Sequence, residues 1–167
     1  MAAGIATVAA MNALGMEVLF HDSRETAVEV GEEFGWSYVE RPEVLFRRCD
    51  VVSVHLSAQD THGRSNRGVL EGSLLMQLAA ERPAGSPRIF MNLSRGFLHT
   101  PEDLISAVDA GSILSAAVDV YPQEPASRQS SWSNPYKDHP QIAVTPHIGA
   151  ATQEAQPRIA RRVAPTF

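Results

Sequence analysis

The sequence predicts an α/β domain built on a parallel β-sheet. Three observations predict this class. Short, almost continuously apolar runs recur along the chain, segments with helical spacing lie between them, and polar residues follow most of the runs. Strands that alternate with helices favour a parallel sheet with right-handed crossovers. We therefore expect a doubly wound sheet that binds its ligands at the carboxyl ends of its strands.

The chain opens on an apolar segment, residues 1–16, which we expect to form a buried helix that leads into a strand. The segment has no basic leader and is interrupted by Asn12, so a cleaved signal peptide is the less favoured interpretation. It is also too short to span a bilayer. Runs rich in β-branched residues then predict strands at residues 16–20, 37–39, 51–54, 88–91, 116–118 and 142–144.

Helices are predicted between these strands from apolar residues that lie three and four positions apart. This spacing covers residues 27–34 and 104–111, and a further helix is expected at residues 71–80. Thr100 is a suitable cap for the helix before residue 111, because its hydroxyl can accept a hydrogen bond from a free amide. Pro101 follows it with a backbone angle already suited to a first helical turn.

The composition fits one globular domain with a small-molecule ligand. The 167 residues are 44% hydrophobic and carry a net charge of −5 without any basic run, so nucleic acid and membrane surfaces are not expected partners. A single cysteine, Cys49, forbids an internal disulfide and fits a reducing, cytoplasmic location. The spacing of the histidines does not suggest a metal site.

Three segments resemble motifs of the D-2-hydroxyacid dehydrogenases. Residues 91–96 contain a match to the motif Asn-x-Ser-Arg-Gly, residues 117–125 resemble Asp-Val-Phe-x-x-Glu-Pro from Asp119 onward, and residues 145–149 are similar to Thr-Pro-His-Ile-Gly. They occur in the family's order with similar separations, and the strand at residues 49–55 also matches. The resemblance extends from about Gly4 to about Val163 and implies a Rossmann-type NAD-binding domain.

The resemblance implies reversible hydride transfer between NAD and a small D-2-hydroxy or 2-oxo acid, with three catalytic residues. The guanidinium of Arg95 can bind the substrate carboxylate through two parallel hydrogen bonds. The imidazole of His147 can take and return the hydroxyl proton, since imidazoles titrate near neutral pH. Glu124 would orient and charge that imidazole. The alternative to a catalytic role is a surface salt bridge for Arg95, a structural role for His147 and an exposed position without function for Glu124.

The cofactor would be NAD. Asp22 follows the second strand of the family's fold, where a carboxylate accepts hydrogen bonds from ribose hydroxyls and repels a 2′-phosphate. Arg24 weakens that preference for NAD, and Asp22 could also cap the next helix. Asp119 resembles the family residue near the nicotinamide amide, although a turn aspartate is the alternative. The remaining residues of the expected cofactor site are His55, Leu93, Ser94, Gly149 and Ala150.

The chain also departs from the family. Only Gly4 remains of the Gly-x-Gly-x-x-Gly turn that binds the pyrophosphate, and the central first strand of the sheet is absent. We therefore expect residues 1–167 to form an incomplete NAD-binding domain, truncated at both ends and lacking the substrate domain. On this interpretation the isolated chain has little or no turnover.

Residues 125–138 and 150–156 resemble the branch of the family that converts 3-phosphoglycerate to 3-phosphohydroxypyruvate in serine biosynthesis. A glyoxylate or hydroxypyruvate reductase of the same family is one alternative. The other is a non-catalytic NAD-binding module that dimerises or recruits partners. A homodimer is expected for the full-length enzyme.

Overall fold

Helices and strands alternate along the chain in the computed structural model, which describes residues 2–125, 131–149, 153 and 157. The helices are α1 (Ala2–Ala13), α2 (Glu25–Glu33), α3 (Pro42–Arg48), α4 (Gly72–Leu75) and α5 (Pro101–Asp109), with a 3-10 turn at Gly96–Leu98. The strands are β1 (Leu19–Phe20), β2 (Ser37–Tyr38), β3 (Val51–Val54), β4 (Ile89–Asn92), β5 (Ser115–Val118) and β6 (Ile142–Val144). The predicted α/β class is confirmed.

The main sheet contains four parallel strands in the order β3-β4-β5-β6. Its register aligns the last residues of the strands, because Val54 pairs with Asn92, Asn92 with Val118, and Val118 with Val144. The loops that follow these strands therefore all begin at the same edge of the sheet. This is the edge at which open parallel sheets bind ligands.

The remaining strands, β1 and β2, form a separate two-stranded parallel sheet. A cavity of about 430 Å³ lies between the two sheets, and residues of both β1 and β3 line it. Among the described residues no strand lies between the two sheets.

The first helix is present as predicted, but its expected burial is wrong. Ala9, Ala10 and residues 12–16 are exposed, while Val8 and Met11 line the cavity between the sheets. An apolar helix becomes buried only when another element covers its apolar side. No described strand covers α1 there, and residues 7–16 are exposed or half-buried.

The core packs against the four-stranded sheet. Phe90 of β4 and Val118 of β5 are almost completely buried, together with Leu75 of α4 and Leu104 of α5. Burying one such side chain stabilises the fold by about 1.5–3 kcal/mol. The strands β3 and β4 alternate between buried and half-buried residues, so one face of the sheet is covered more completely than the other.

Most of the predicted elements are present, with two differences. The helix expected at residues 71–80 stops after one turn at Leu75, and α3 was not among the predicted helices. The cap of α5 is confirmed, because the Asp103 amide donates to Thr100 Oγ1 at 3.1 Å. None of the helices in the described ranges is long and apolar enough to cross a membrane.

Candidate active site

Apart from Asp22, which follows β1 of the smaller sheet, the predicted functional groups lie in loops that begin at the aligned edge of the main sheet. His55, Leu93, Asp119 and Thr145 are the residues directly after β3, β4, β5 and β6. Arg95 and His147 follow two residues later in their loops. The strand register thus explains why groups far apart in sequence come to one side of the molecule.

The turn that carries Arg95 is shaped by a buried amide. Asn92 is fully buried at the end of β4, where its Oδ1 accepts hydrogen bonds from the amide and the hydroxyl of Ser94 at 3.1 and 3.2 Å. Its Nδ2 donates to the Arg95 carbonyl at 2.9 Å. A buried polar side chain must be paired in this way, so Asn92 fixes the turn.

The Arg95 side chain is exposed, and its Nη1 donates to the Ser94 carbonyl at 2.7 Å. A guanidinium has five N–H donors. Within the described residues the others have no assigned partner, so Arg95 is free to bind a carboxylate. An ion pair with a surface carboxylate, the alternative considered for this residue, is not present among the described residues.

Asp119 anchors the loop after β6. Its Oδ1 accepts hydrogen bonds from Thr145 Oγ1 at 2.5 Å and from the Ile148 amide at 3.0 Å, and its Oδ2 accepts from the Gly149 amide at 3.1 Å. Burial alone would raise the pKa of Asp119, but these hydrogen bonds hold it below its ordinary value. The carboxylate is therefore ionised and surrounded by residues 145–149.

His147 lies at the tip of this loop with a backbone φ of 54°. The left-handed conformation costs a residue with a side chain about 1–2 kcal/mol. Such strain persists only where the surroundings impose it, and it concentrates at functional sites. The hydrogen bonds to Asp119 on both sides of His147 impose it here.

The imidazole of His147 contacts Glu124, as the resemblance implied. Its Nδ1 lies 2.7 Å from both carboxylate oxygens of Glu124. The two side chains are 46% and 37% exposed, so the pair opens to solvent rather than forming a buried ion pair. With Nδ1 held as a donor to the carboxylate, Nε2 is the nitrogen available to a substrate.

Asp22 lies after β1, where it lines the cavity and contacts Arg24. The guanidinium of Arg24 donates to its two oxygens at 2.9 and 2.6 Å, and the Arg24 amide donates at 3.0 Å. Burial alone would raise the pKa of Asp22, but the contacts with Arg24 lower it. Asp22 does not cap α2, since the residue before that helix, Arg24, has no side-chain cap.

His55 lies near the same cavity, with its Nε2 at 2.9 Å from Ser53 Oγ. Burial lowers the pKa of His55, so its imidazole is neutral at neutral pH. The cavity thus reaches from the Asp22 carboxylate to the imidazole of His55.

The residues expected to contact a cofactor lie in two places. Asp22 offers a carboxylate beside the cavity, while Leu93 and Ile148, which are 51% and 44% exposed, offer apolar surface at the carboxyl edge of the main sheet. Gly149 keeps the approach to Asp119 open, because a Cβ there would lie 3.2 Å from the carboxylate. Ala150, also expected to contact the cofactor, lies outside the described residues.

Sequence reasoning gave no role to Asn92, Tyr121 or Thr145, although all three shape this site. Asn92 could have been noticed as a polar residue that ends an apolar run. Tyr121 and Thr145 gave no signal beyond their place in the motifs, because their contact joins residues 24 positions apart.

A parallel α/β sheet with a carboxylate-paired histidine and a free arginine in the loops at its carboxyl edge is what we expect of the nucleotide-binding domain of a dehydrogenase. The family described as “D-isomer specific 2-hydroxyacid dehydrogenase, NAD binding domain” matches residues 2–149. The chain belongs to this family.

Similar proteins agree with this assignment. D-3-phosphoglycerate dehydrogenase of Haemophilus influenzae is 32% identical over 154 residues, which are 92% of this chain and 34% of that protein. Glyoxylate/hydroxypyruvate reductase A of an Enterobacter strain is 41% identical over 89 residues, 53% of this chain and 25% of that protein. The crystal structure of Rhodotorula graminis D-mandelate dehydrogenase has a TM-score of 0.71 at 25% identity and covers 91% of this chain and 40% of that one. This chain thus spans about a third of the length of its phosphoglycerate dehydrogenase relative.

Proposed function

We propose that this chain is the NAD-binding part of a dehydrogenase that interconverts a D-2-hydroxy acid and a 2-oxo acid. The observation that carries the proposal is the Glu124–His147 contact of 2.7 Å, which lies in the loops after the same sheet edge as the free guanidinium of Arg95. A pure binding module has no need of such a charged, proton-transferring set. The catalytic reading is therefore favoured over a non-catalytic NAD-binding module.

In this proposal His147 moves the proton. Its Nε2 takes the hydroxyl proton as the hydroxy acid is oxidised and returns it when the oxo acid is reduced. Glu124 stabilises the imidazolium that forms and holds the ring in one orientation. Arg95 binds the substrate carboxylate with two parallel hydrogen bonds.

NAD, when bound, accepts the hydride from the substrate carbon or returns it. Asp22 would bind the adenosine ribose, and its negative charge favours NAD over NADP. Arg24 already holds that carboxylate, so the ribose hydroxyls would share it with a guanidinium. At the other end, Asp119 uses three of its acceptor positions within the protein and has one to offer. The other proposed cofactor contacts are His55, Leu93, Ser94, Gly149 and Ala150.

The favoured substrate is 3-phosphoglycerate, oxidised to 3-phosphohydroxypyruvate in serine biosynthesis in the cytoplasm. Support comes from the Haemophilus influenzae relative, which matches over 92% of this chain. The Enterobacter reductase matches a shorter part at higher identity and makes reduction of glyoxylate or hydroxypyruvate the second candidate. The proposal includes a homodimer as the working form of the full-length enzyme.

The test uses the longest natural protein that contains these residues, with NADH formation followed by absorbance. We expect D-2-hydroxy acids to be oxidised in preference to their L-isomers, with 3-phosphoglycerate the best of a panel that includes glycerate and lactate. His147→Asn should lower kcat by about 10²–10⁴-fold, because it removes the general base.

A matched control is available in His139, which lies 3.3 Å from Asp109 and forms a second histidine–carboxylate pair away from the site. His139→Asn should leave kcat unchanged. A preference for L-isomers, or equal effects of His139→Asn and His147→Asn, would contradict the proposed function.

A further inference from the structure

Tyr121 touches the segments that carry all three proposed catalytic side chains. We propose that Tyr121 is a positioning residue for this site: its hydroxyl and its amide each hold one catalytic segment by a hydrogen bond, and its carbonyl group packs against the third. The inference rests on the proposed function for its biological meaning. This chain has tyrosine where the resembling motif has phenylalanine, and the tyrosine hydroxyl makes one of the contacts.

The hydroxyl acts on the loop of His147. It donates to the Thr145 carbonyl at 2.6 Å, two residues before the histidine. Thr145 is also held by its amide, which donates to the Val118 carbonyl at 3.1 Å, and by its hydroxyl, which donates to Asp119. Three hydrogen bonds thus hold Thr145 at the start of the loop, two residues before the left-handed backbone of His147.

The amide acts on Glu124. It donates to Glu124 Oε1 at 3.2 Å, and the same oxygen lies 2.7 Å from His147 Nδ1. One oxygen of the Glu124 carboxylate therefore accepts a hydrogen bond from the Tyr121 amide and also contacts the imidazole. The carboxylate cannot turn away from His147 without losing this hydrogen bond.

The carbonyl group acts on the turn of Arg95. The backbone of Gly96, the next residue, approaches Tyr121 so closely that a Cβ at Gly96 would overlap the Tyr121 carbonyl group. The arginine turn is therefore placed directly against the residue that also holds Glu124 and the histidine loop.

Tyr121 is itself held firmly. Its side chain is buried, its ring meets Trp132 edge-on with centroids 4.9 Å apart, and Asn134 Nδ2 donates to its hydroxyl at 3.3 Å. Burial raises the pKa of Tyr121, and the carboxylates of Asp119 and Glu124 act in the same direction. The hydroxyl therefore remains a neutral donor over the pH range in which an imidazole titrates.

The test is an NMR measurement on the chain labelled with ¹⁵N-histidine, without NAD or substrate. The Nδ1–H proton of His147 is identified as the signal that His147→Asn removes, and its exchange with water is measured. Tyr121→Phe keeps the ring and removes the hydroxyl. We expect this change to accelerate the exchange about fivefold, the effect of losing one ordinary hydrogen bond.

Tyr136→Phe is the matched control, because its buried hydroxyl has no hydrogen-bond partner within the described residues. It should leave the His147 exchange rate unchanged. Unchanged exchange in Tyr121→Phe, equal changes in both variants, or the absence of a protected His147 signal in the unaltered chain would each overturn the inference. None of these readouts depends on catalysis, so a failed activity assay and a failed positioning role remain distinguishable.

Discussion

Replacing Gly96 with alanine perturbs the closest backbone approach at the candidate site. The new Cβ would overlap the Tyr121 backbone at its Cα, carbonyl carbon and carbonyl oxygen. Carbon atoms pack at about 3.5–4.0 Å, so relief requires a backbone shift of more than about 1 Å. A flexible side chain could rotate away, but a backbone segment between β5 and Glu124 cannot. We expect a loss of about 3 kcal/mol in the free energy of unfolding, at the upper end for overpacking.

Gly31→Ala provides the comparison. A Cβ at Gly31 would meet the far end of the Phe20 ring, which can tilt, with its Cε1 at 2.7 Å. Alanine within α2 also recovers about 0.5–1 kcal/mol of backbone entropy. The net cost should therefore stay below about 1 kcal/mol. Urea denaturation followed by circular dichroism measures both variants, and a Gly96→Ala cost equal to or smaller than that of Gly31→Ala would refute the reasoning.

Two further predictions concern stability. Thr100→Ala should lower the free energy of unfolding by about 1 kcal/mol, because α5 loses its N-cap, while Thr100→Ser should restore it; equal urea midpoints for both variants would contradict this. Burial lowers the pKa of His99, so the unfolded chain binds the proton more tightly. The contribution of neutral His99 to the free energy of unfolding should be complete above the ordinary imidazole pKa of about 6.5. It should be lost as the pH drops from there towards the lower pKa of His99 in the folded chain. In His99→Phe the urea midpoint should therefore fall less between pH 7 and pH 5. Part of the fall should remain, because burial also lowers the pKa of His55. An equally steep fall in His99→Phe and the unaltered chain would contradict this role of His99.

The sequence predicted the strand ends better than the contacts between them. Apolar runs such as Val51–Val54 mark buried strands directly, and their ends give the candidate residues. The contact between Glu124 and His147 joins residues 23 positions apart, so it follows only from the packing of two loops. For that pair the resemblance supplied what spacing could not.

Local propensity also failed in places for physical reasons. Residues 76–80 have the composition of a helix, but Ala79 adopts a positive φ of 55° and its amide donates to the Phe46 carbonyl. A tertiary contact therefore overrides helix propensity after Leu75. His99, which follows the 3-10 turn before α5, is buried against Phe90, and nothing in its place in the sequence indicated that burial.

We expect this chain to bind NAD at the carboxyl ends of the strands of both sheets, with Asp22, after β1, on the ribose. Isothermal titration of NAD into the chain and into Asp22→Ala tests it most directly. The account predicts binding that Asp22→Ala weakens about tenfold or more, since hydrogen bonds to a charged group contribute about 1.5–3 kcal/mol. No binding at millimolar NAD, or the same affinity in both proteins, would contradict it.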